Sequence, residues 1–151
     1  LAPKVSPLAP ARFPDLPAIG GVRFAAAAAG VRYKDRTDVM LAVIEDAAVV
    51  GTFTRSATRS APVRDAQDKL EHAEGGHVAF LVNSGNSNAF TGRAGEEAVE
   101  SLCQAVSQAL GLSPSRVLTS STGVIGEPLA WERIAAVIPA LRDALEPEGI
   151  Q

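Results

Sequence analysis

At 151 residues, with 46% hydrophobic and 21% charged residues, the chain has the size and composition of one globular domain, or of one large piece of one. Such a chain buries roughly 68–70% of its unfolded surface, enough for a real core. A net charge of −3 leaves no basic footprint for nucleic acid or an anionic membrane, and no apolar run reaches the roughly 18 residues of a membrane span.

The single cysteine, Cys103, excludes an internal disulfide and fits a reducing compartment, so the cytoplasm is the expected location. The sequence starts at Leu1, and the Pro- and Ala-rich segment 1–18 has no continuous apolar stretch of the kind a secretory signal carries. It reads as an extended arm ahead of a domain over 19–151.

Gly21 to Gly30 reads as a strand of small residues, and Tyr33 to Asp38 as a polar turn. The β-branched apolar runs Val39–Glu45 and Ala48–Thr54, separated at Asp46, predict a hairpin. Val63, Ala66, Leu70 and Ala73 fall at helical spacing within Pro62–Glu74, and Gly75-Gly76 ends that helix. The nearly continuous apolar run His77–Val82 predicts a strand buried on both faces. A long helix is expected from about Gly95 to Leu110, with Gly111 following its C-terminus. Arg116–Ser120 reads as a further strand, and Leu129–Leu145 as a helix that Pro139 kinks or divides. Strands in hairpins followed by two strand–loop–helix units predict a layered α/β fold with a mixed sheet.

Two segments are crowded with small residues, amides and hydroxyls: NSGNSNAFTG over 83–92 and SSTGVIGEPL over 120–129. Each follows a strand-like run and precedes a helix-like one. That chemistry brings backbone N–H groups close to an oxyanion or carboxylate without a charged side chain intervening. It does not suit a metal, which needs carboxylate, imidazole or thiolate ligands. In the second segment the Thr122 hydroxyl and the Gly123 N–H can point to one place, as an acyl-transfer oxyanion hole requires. The plain alternative is a tight turn that needs Gly123 and Gly126 only for their dihedrals. Asn83, Asn86 and Asn88 are candidates for a polar ligand wall, or equally for a loop held by its own amides. A second Thr-Gly pair, Thr91-Gly92, leaves spacing unable to say which pair faces chemistry.

Other candidates carry less. His72 and His77, near Glu71 and Glu74, lack a third ligand group, so no metal site is expected. Cys103 sits on an apolar helix stripe and reads as core. Arg55, Arg59 and Arg64 read as a solvated edge that could touch an anionic substrate. There is no phosphate-cradling Gly-rich motif, and neither His occupies a loop that suits a Ser–His–Asp triad. Donors for an oxyanion are present, yet no nucleophile with an adjacent base stands out. The chain reads as part of a site.

From Ile19 onward the sequence resembles the α chain of ornithine acetyltransferase, also called glutamate N-acetyltransferase. The resemblance rests on Gly21-Val22-Arg23-Phe24, on Gly51-Thr52-Phe53-Thr54-Arg55 with Ser60-Ala61-Pro62-Val63, and on the two loop segments in this order. It implies an αββα-type sandwich layered like the N-terminal-nucleophile hydrolases, with different connectivity. It further implies a precursor that cuts itself before a Thr, giving α and β chains that remain together, typically as α2β2. The new N-terminal Thr of the β chain would take acetyl from N-acetylornithine and pass it to glutamate in arginine biosynthesis. Some members also use acetyl-CoA as a substrate; no other cofactor is implied. The family's oxyanion pair matches Thr122 and Gly123, and the nucleophile and self-cleavage point are expected beyond Gln151. Phe90 stands where many members carry Cys, a change expected to be structural. Two other readings accompany this one: the α half of a self-processing β-aminopeptidase-like hydrolase, and a non-catalytic small-molecule-binding domain.

Overall fold

The computed structural model describes residues 7–12, 14–71, 75–147 and 149. Parts of the expected arm, residues 1–6 and 13, lie outside these, as do His72, Ala73, Glu74 and Gln151. The rest of the arm, 7–12 and 14–18, is exposed and forms neither helix nor strand.

Four strands, β1 (Val22–Ala27), β2 (Val39–Ile44), β3 (Val78–Asn86) and β4 (Val117–Val124), form one mixed sheet in that order. The pairs β1/β2 and β2/β3 are antiparallel, while β3 and β4 run parallel. The parallel step needs a crossover, and α2 (Gly92–Leu110) supplies it, followed by a short 3₁₀ turn at Pro114–Arg116. α1 (Ala61–Leu70) lies against α2 on the β4 side, and α3 (Trp131–Asp143) packs on α2 and over β1 and β2.

Side-chain alternation decides which face the helices take. Ala25, Leu41, Leu81 and then Val43, Ala79, Val117 lie on one side of the sheet, by register. They form a single buried cluster with Val99, Leu102 and Val106 of α2 and Ile134, Ile138 and Leu141 of α3. The opposite side carries the rows Phe24–Ala42–Phe80–Leu118 and Ala26–Met40–Val82–Ser120. Of these, Phe24, Met40, Phe80 and Val82 are only half-buried. The described residues thus form one mixed sheet with a helical layer on one face.

Several sequence expectations change. Ala48–Thr54 is not a strand: both edges of β2 are already taken by β1 and β3, so no edge remains for a hairpin partner. The strand over 77–82 is not buried on both faces throughout, since Phe80 and Val82 keep partial exposure. α1 stops at Leu70 with Glu71 as its cap, and α2 starts earlier than expected, at Gly92. α3 continues through Pro139 as one helix. Pro139 removes one backbone donor, while the flanking Ile138 and Leu141 are fully buried and hold the helix in place.

Cys103 is core, as expected, and burial pushes its thiol above the ordinary value; the nearby Lys69 ammonium opposes this. Lys69 Nζ donates to Asp65 Oδ2 at 2.7 Å, to Val117 O at 2.8 Å and to Cys103 Sγ at 3.1 Å, tying α1 to β4 and α2.

Leu41 sits at the centre of this packing with 0% exposure, whereas Val50 is 93% exposed. Leu41→Ala is therefore expected to cost about 2–5 kcal/mol, and Val50→Ala less than about 0.5 kcal/mol. Denaturant unfolding of the full-length protein that contains this chain measures both.

Candidate active site at the ends of two parallel strands

The two segments read as loops both begin as strand. β3 runs on to Asn86 and β4 to Val124, pairing Asn83 with Ser121, Ser84 with Thr122 and Gly85 with Gly123. Asn86 then opposes both Thr122 and Val124, so the ladder is irregular at this point. Such a bulge bends the strand and re-aims the residues beside it.

Glycine is required on both strands. Gly85 has φ +101° and Gly123 φ +134°, left-handed values that L side chains rarely adopt. A Cβ on Gly123 would overlap the Gly85 carbonyl carbon, and one on Gly85 would lie 3.0 Å from Arg32 Cβ.

The three asparagines form an internal network. Asn83 accepts from Ser121 Oγ at 2.6 Å and donates to Asn86 O at 2.9 Å. Asn86 Nδ2 donates to Glu127 O at 3.0 Å, and its Oδ1 accepts from Asn88 N at 2.7 Å. Asn88, fully buried with φ +47°, donates to Gly95 O at 3.0 Å and accepts from Thr91 Oγ1 at 2.8 Å. Ser87 N and Oγ both donate to Val124 O, and Gly126 N donates to Ala89 O. These bonds clamp residues 124–128 onto 86–89 and onto the first turn of α2.

The two Thr-Gly pairs thereby part company. Thr91 spends its hydroxyl inside the network, and Gly92 opens α2. Thr122 and Gly123 are exposed near the C-terminal end of β4, and the Thr122 hydroxyl makes no hydrogen bond among the described residues. Thr122 lines an apolar cavity of about 210 Å³ together with Met40 and Val82 of the sheet face away from the helices. Gly123 lines a neighbouring cavity of about 310 Å³ with Arg32, Tyr33 and Arg36.

Sequence reasoning passed over Asp38. Its side chain accepts from Ala29 N and Val31 N, both at 2.7 Å, and its carbonyl accepts from Ser84 N at 2.8 Å. This fixes the 28–38 segment over β3, where Arg32 reaches Glu127 at 3.0 Å. The only local signal was a buried-strand start preceded by an acid and a turn.

The remaining candidates lie elsewhere. Arg59 donates to Gln67 and Arg64 pairs with Glu96, both beside the start of α2; Arg55 is exposed. Phe90, 69% exposed at φ +57°, lies near them. His77 accepts from Asp46 N at 3.2 Å, while His72 falls outside the described residues.

The profile of the ArgJ family matches residues 23–151. The chain belongs to the ArgJ family. It is 59% identical over 149 residues to the arginine biosynthesis bifunctional protein ArgJ of Ruegeria pomeroyi, a match covering 98% of this chain and 36% of that protein. The ArgJ protein of Bradyrhizobium diazoefficiens is 47% identical over 97% of this chain and 35% of its own length. This ArgJ-family chain thus spans about a third of those relatives. Among solved structures, it superposes on ornithine acetyltransferase from Mycobacterium tuberculosis, crystallised with ornithine, with a TM-score of 0.76 and 30% identity; the match covers 85% of this chain and 69% of that one. ArgJ from Bacillus halodurans gives a TM-score of 0.73 at 26% identity, over 80% of this chain and 62% of that one. The family resemblance and the layered α/β fold expected from the sequence both hold.

The different settings of the two threonines give opposite expectations for stability. Thr91→Val removes a donor from a buried network and is expected to cost about 1–3 kcal/mol. Thr122→Val removes a solvent-facing hydroxyl and should stay within about 0.5 kcal/mol. Urea unfolding of the two variants in the full-length protein makes the comparison.

Proposed function

We propose that this chain is the α portion of an acetyltransferase that moves acetyl from N-acetylornithine to glutamate, with Thr122 and Gly123 as its oxyanion hole. The observation that carries the proposal is the pair itself. One hydroxyl without an internal partner and one glycine amide sit side by side, on a backbone braced by the asparagine network. Rigid neutral donors of this kind stabilise the charge that develops on a carbonyl oxygen under attack. Membership of the ArgJ family and the likeness to an ornithine acetyltransferase support the substrate class.

The nucleophile in this reading is the N-terminal Thr of a β chain cut from the same precursor, whose own α-amine serves as base. Acetyl passes first to that hydroxyl, with release of ornithine, and then to the amine of glutamate. Both half-reactions go through a tetrahedral oxyanion, so a single hole serves both. Acetyl-CoA is a second possible donor for the first step. The β chain would cover the sheet face carrying Phe24, Met40, Phe80 and Val82, and an α2β2 assembly follows the family pattern.

In the full precursor, Thr122→Val should lower kcat by roughly 10²–10³ with little change in substrate binding. Initial rates with N-acetylornithine and glutamate should give parallel double-reciprocal lines. Mass spectrometry after incubation with N-acetylornithine alone should find one acetyl on the β chain and none on residues 1–151. Intersecting lines, or acetyl on a Ser or Thr of this chain, would overturn the division of roles.

The half-buried apolar face yields a separate expectation. Residues 1–151 expressed alone should aggregate or lack a cooperative transition, and co-expression with the remainder of the precursor should restore one. Size-exclusion chromatography with thermal unfolding reads this; a cooperative monomer would count against the partner's role.

A further inference from the structure

The cavity beside Gly123 carries more charge chemistry than an oxyanion hole needs. Its lining includes two arginines, Arg32 and Arg36, against one carboxylate, Asp38. Two of these three are already matched. Both Asp38 oxygens accept backbone N–H groups at 2.7 Å, and Arg32 pairs with Glu127 at 3.0 Å. Arg36 is different. No carboxylate lies within ion-pair distance of it among the described residues, and its guanidinium carbon sits 5.7 Å from the centre of the Tyr33 ring. A cation held against an aromatic face is positioned without using its N–H donors. Those donors match a planar carboxylate in two-pronged fashion.

We infer that this cavity is the subsite for a carboxylate of the amino-acid substrate, with Arg36 as the residue that binds it. The inference rests on the acetyltransferase reading and adds how that site would select its substrates. In an N-acetyl amino acid the carboxylate carbon is two bonds from the amide nitrogen. A carbonyl oxygen held at Thr122 and Gly123 therefore keeps the carboxylate within a few bond lengths, inside a cavity of which Gly123 is a wall. The phosphates of acetyl-CoA are separated from its acyl group by the whole pantetheine arm, so they do not suit this position. The carboxylate has two sources: the α-carboxylate shared by N-acetylornithine and glutamate, or the side-chain carboxylate that glutamate alone carries.

The test uses the full processed enzyme with Arg36→Met, Arg36→Lys and, as a control, Lys34→Met. Lys34 is exposed and does not line the cavity. Arg36→Met should raise KM about ten-fold or more with kcat near wild type, because a charge-assisted hydrogen bond to substrate is lost. Arg36→Lys should recover part of this, the Lys34 variant should match wild type, and equal thermal midpoints should accompany all three. A rise in KM for both substrates assigns the α-carboxylate, and a rise for glutamate alone assigns its side chain; either supports the subsite. Unchanged KM for both substrates in Arg36→Met, with the wild type active, overturns the inference and leaves the acetyltransferase reading standing. A wild type that transfers no acetyl overturns the reading and the subsite with it.

Discussion

Gly85 and Gly123 bring two parallel strands closer together than any side chain permits, and the candidate site depends on that approach. Both residues take left-handed dihedrals, and a Cβ on Gly123 has no space that backbone does not already fill. The irregular register that follows lets Asn86 face both Thr122 and Val124. That turns the Asn86 amide inward, where it holds the carbonyls of Glu127 and Pro128. Without the paired glycines the strands would separate, the segment after β4 would lose its anchor, and Thr122 and Gly123 would share no fixed geometry. A catalytic hole needs that fixity, because donors that must reorganise during reaction give back much of their electrostatic advantage.

The bracing is built from neutral amides, and there is a physical reason. An asparagine side chain both donates and accepts, so Asn83, Asn86 and Asn88 can pass hydrogen bonds from Ser121 through to Gly95 and Thr91 with no net charge buried. An aspartate in the same place would need a counter-ion to offset its desolvation. Charge enters nearby only where it is matched, even at the buried Asp38. Asp38 is capped by two backbone donors, and Arg32 is paired with Glu127 at an exposed position. Exposed pairs of this sort contribute little stability, so their value here is in holding the 28–38 segment across β3.

How much the sequence reveals depends on how local each cause is. The apolar runs of β2 and β3 and the stripe of α2 are local patterns, and each was found within a few residues. The ends of β3 and β4 were not, because Asn, Ser and Gly have poor strand propensity; their pairing is imposed by the neighbouring strand. Ala48–Thr54 has the strand composition without a free edge to join, a fact only the sheet order supplies. At the site, spacing could not choose between Thr91 and Thr122, since the difference lies in whether the hydroxyl is consumed by Asn88. Asp38, Arg32 and Arg36 escaped notice for the same reason. The Arg32–Glu127 pair joins residues 95 positions apart, and no window of sequence contains it.

The sheet's two faces have different chemistry, and the site lies where they meet. The helix side ends in the asparagine network, which is buried and saturated. The other side ends at Thr122, beside the apolar rows of Met40 and Val82. In the proposed reaction an acetyl group must be held, attacked and released twice, and a neutral hole is well suited to that cycle. An O–H and an N–H bind a planar carbonyl weakly and a tetrahedral oxyanion more strongly, so the preference appears mainly in the transition state. An arginine in the same position would also bind the carboxylates of both substrates and hold them away from the reacting centre. On the proposed reading separation avoids this: the neutral donors would meet the developing charge, while Arg32 and Arg36 line the cavity adjoining Gly123, where the substrates would carry charge throughout.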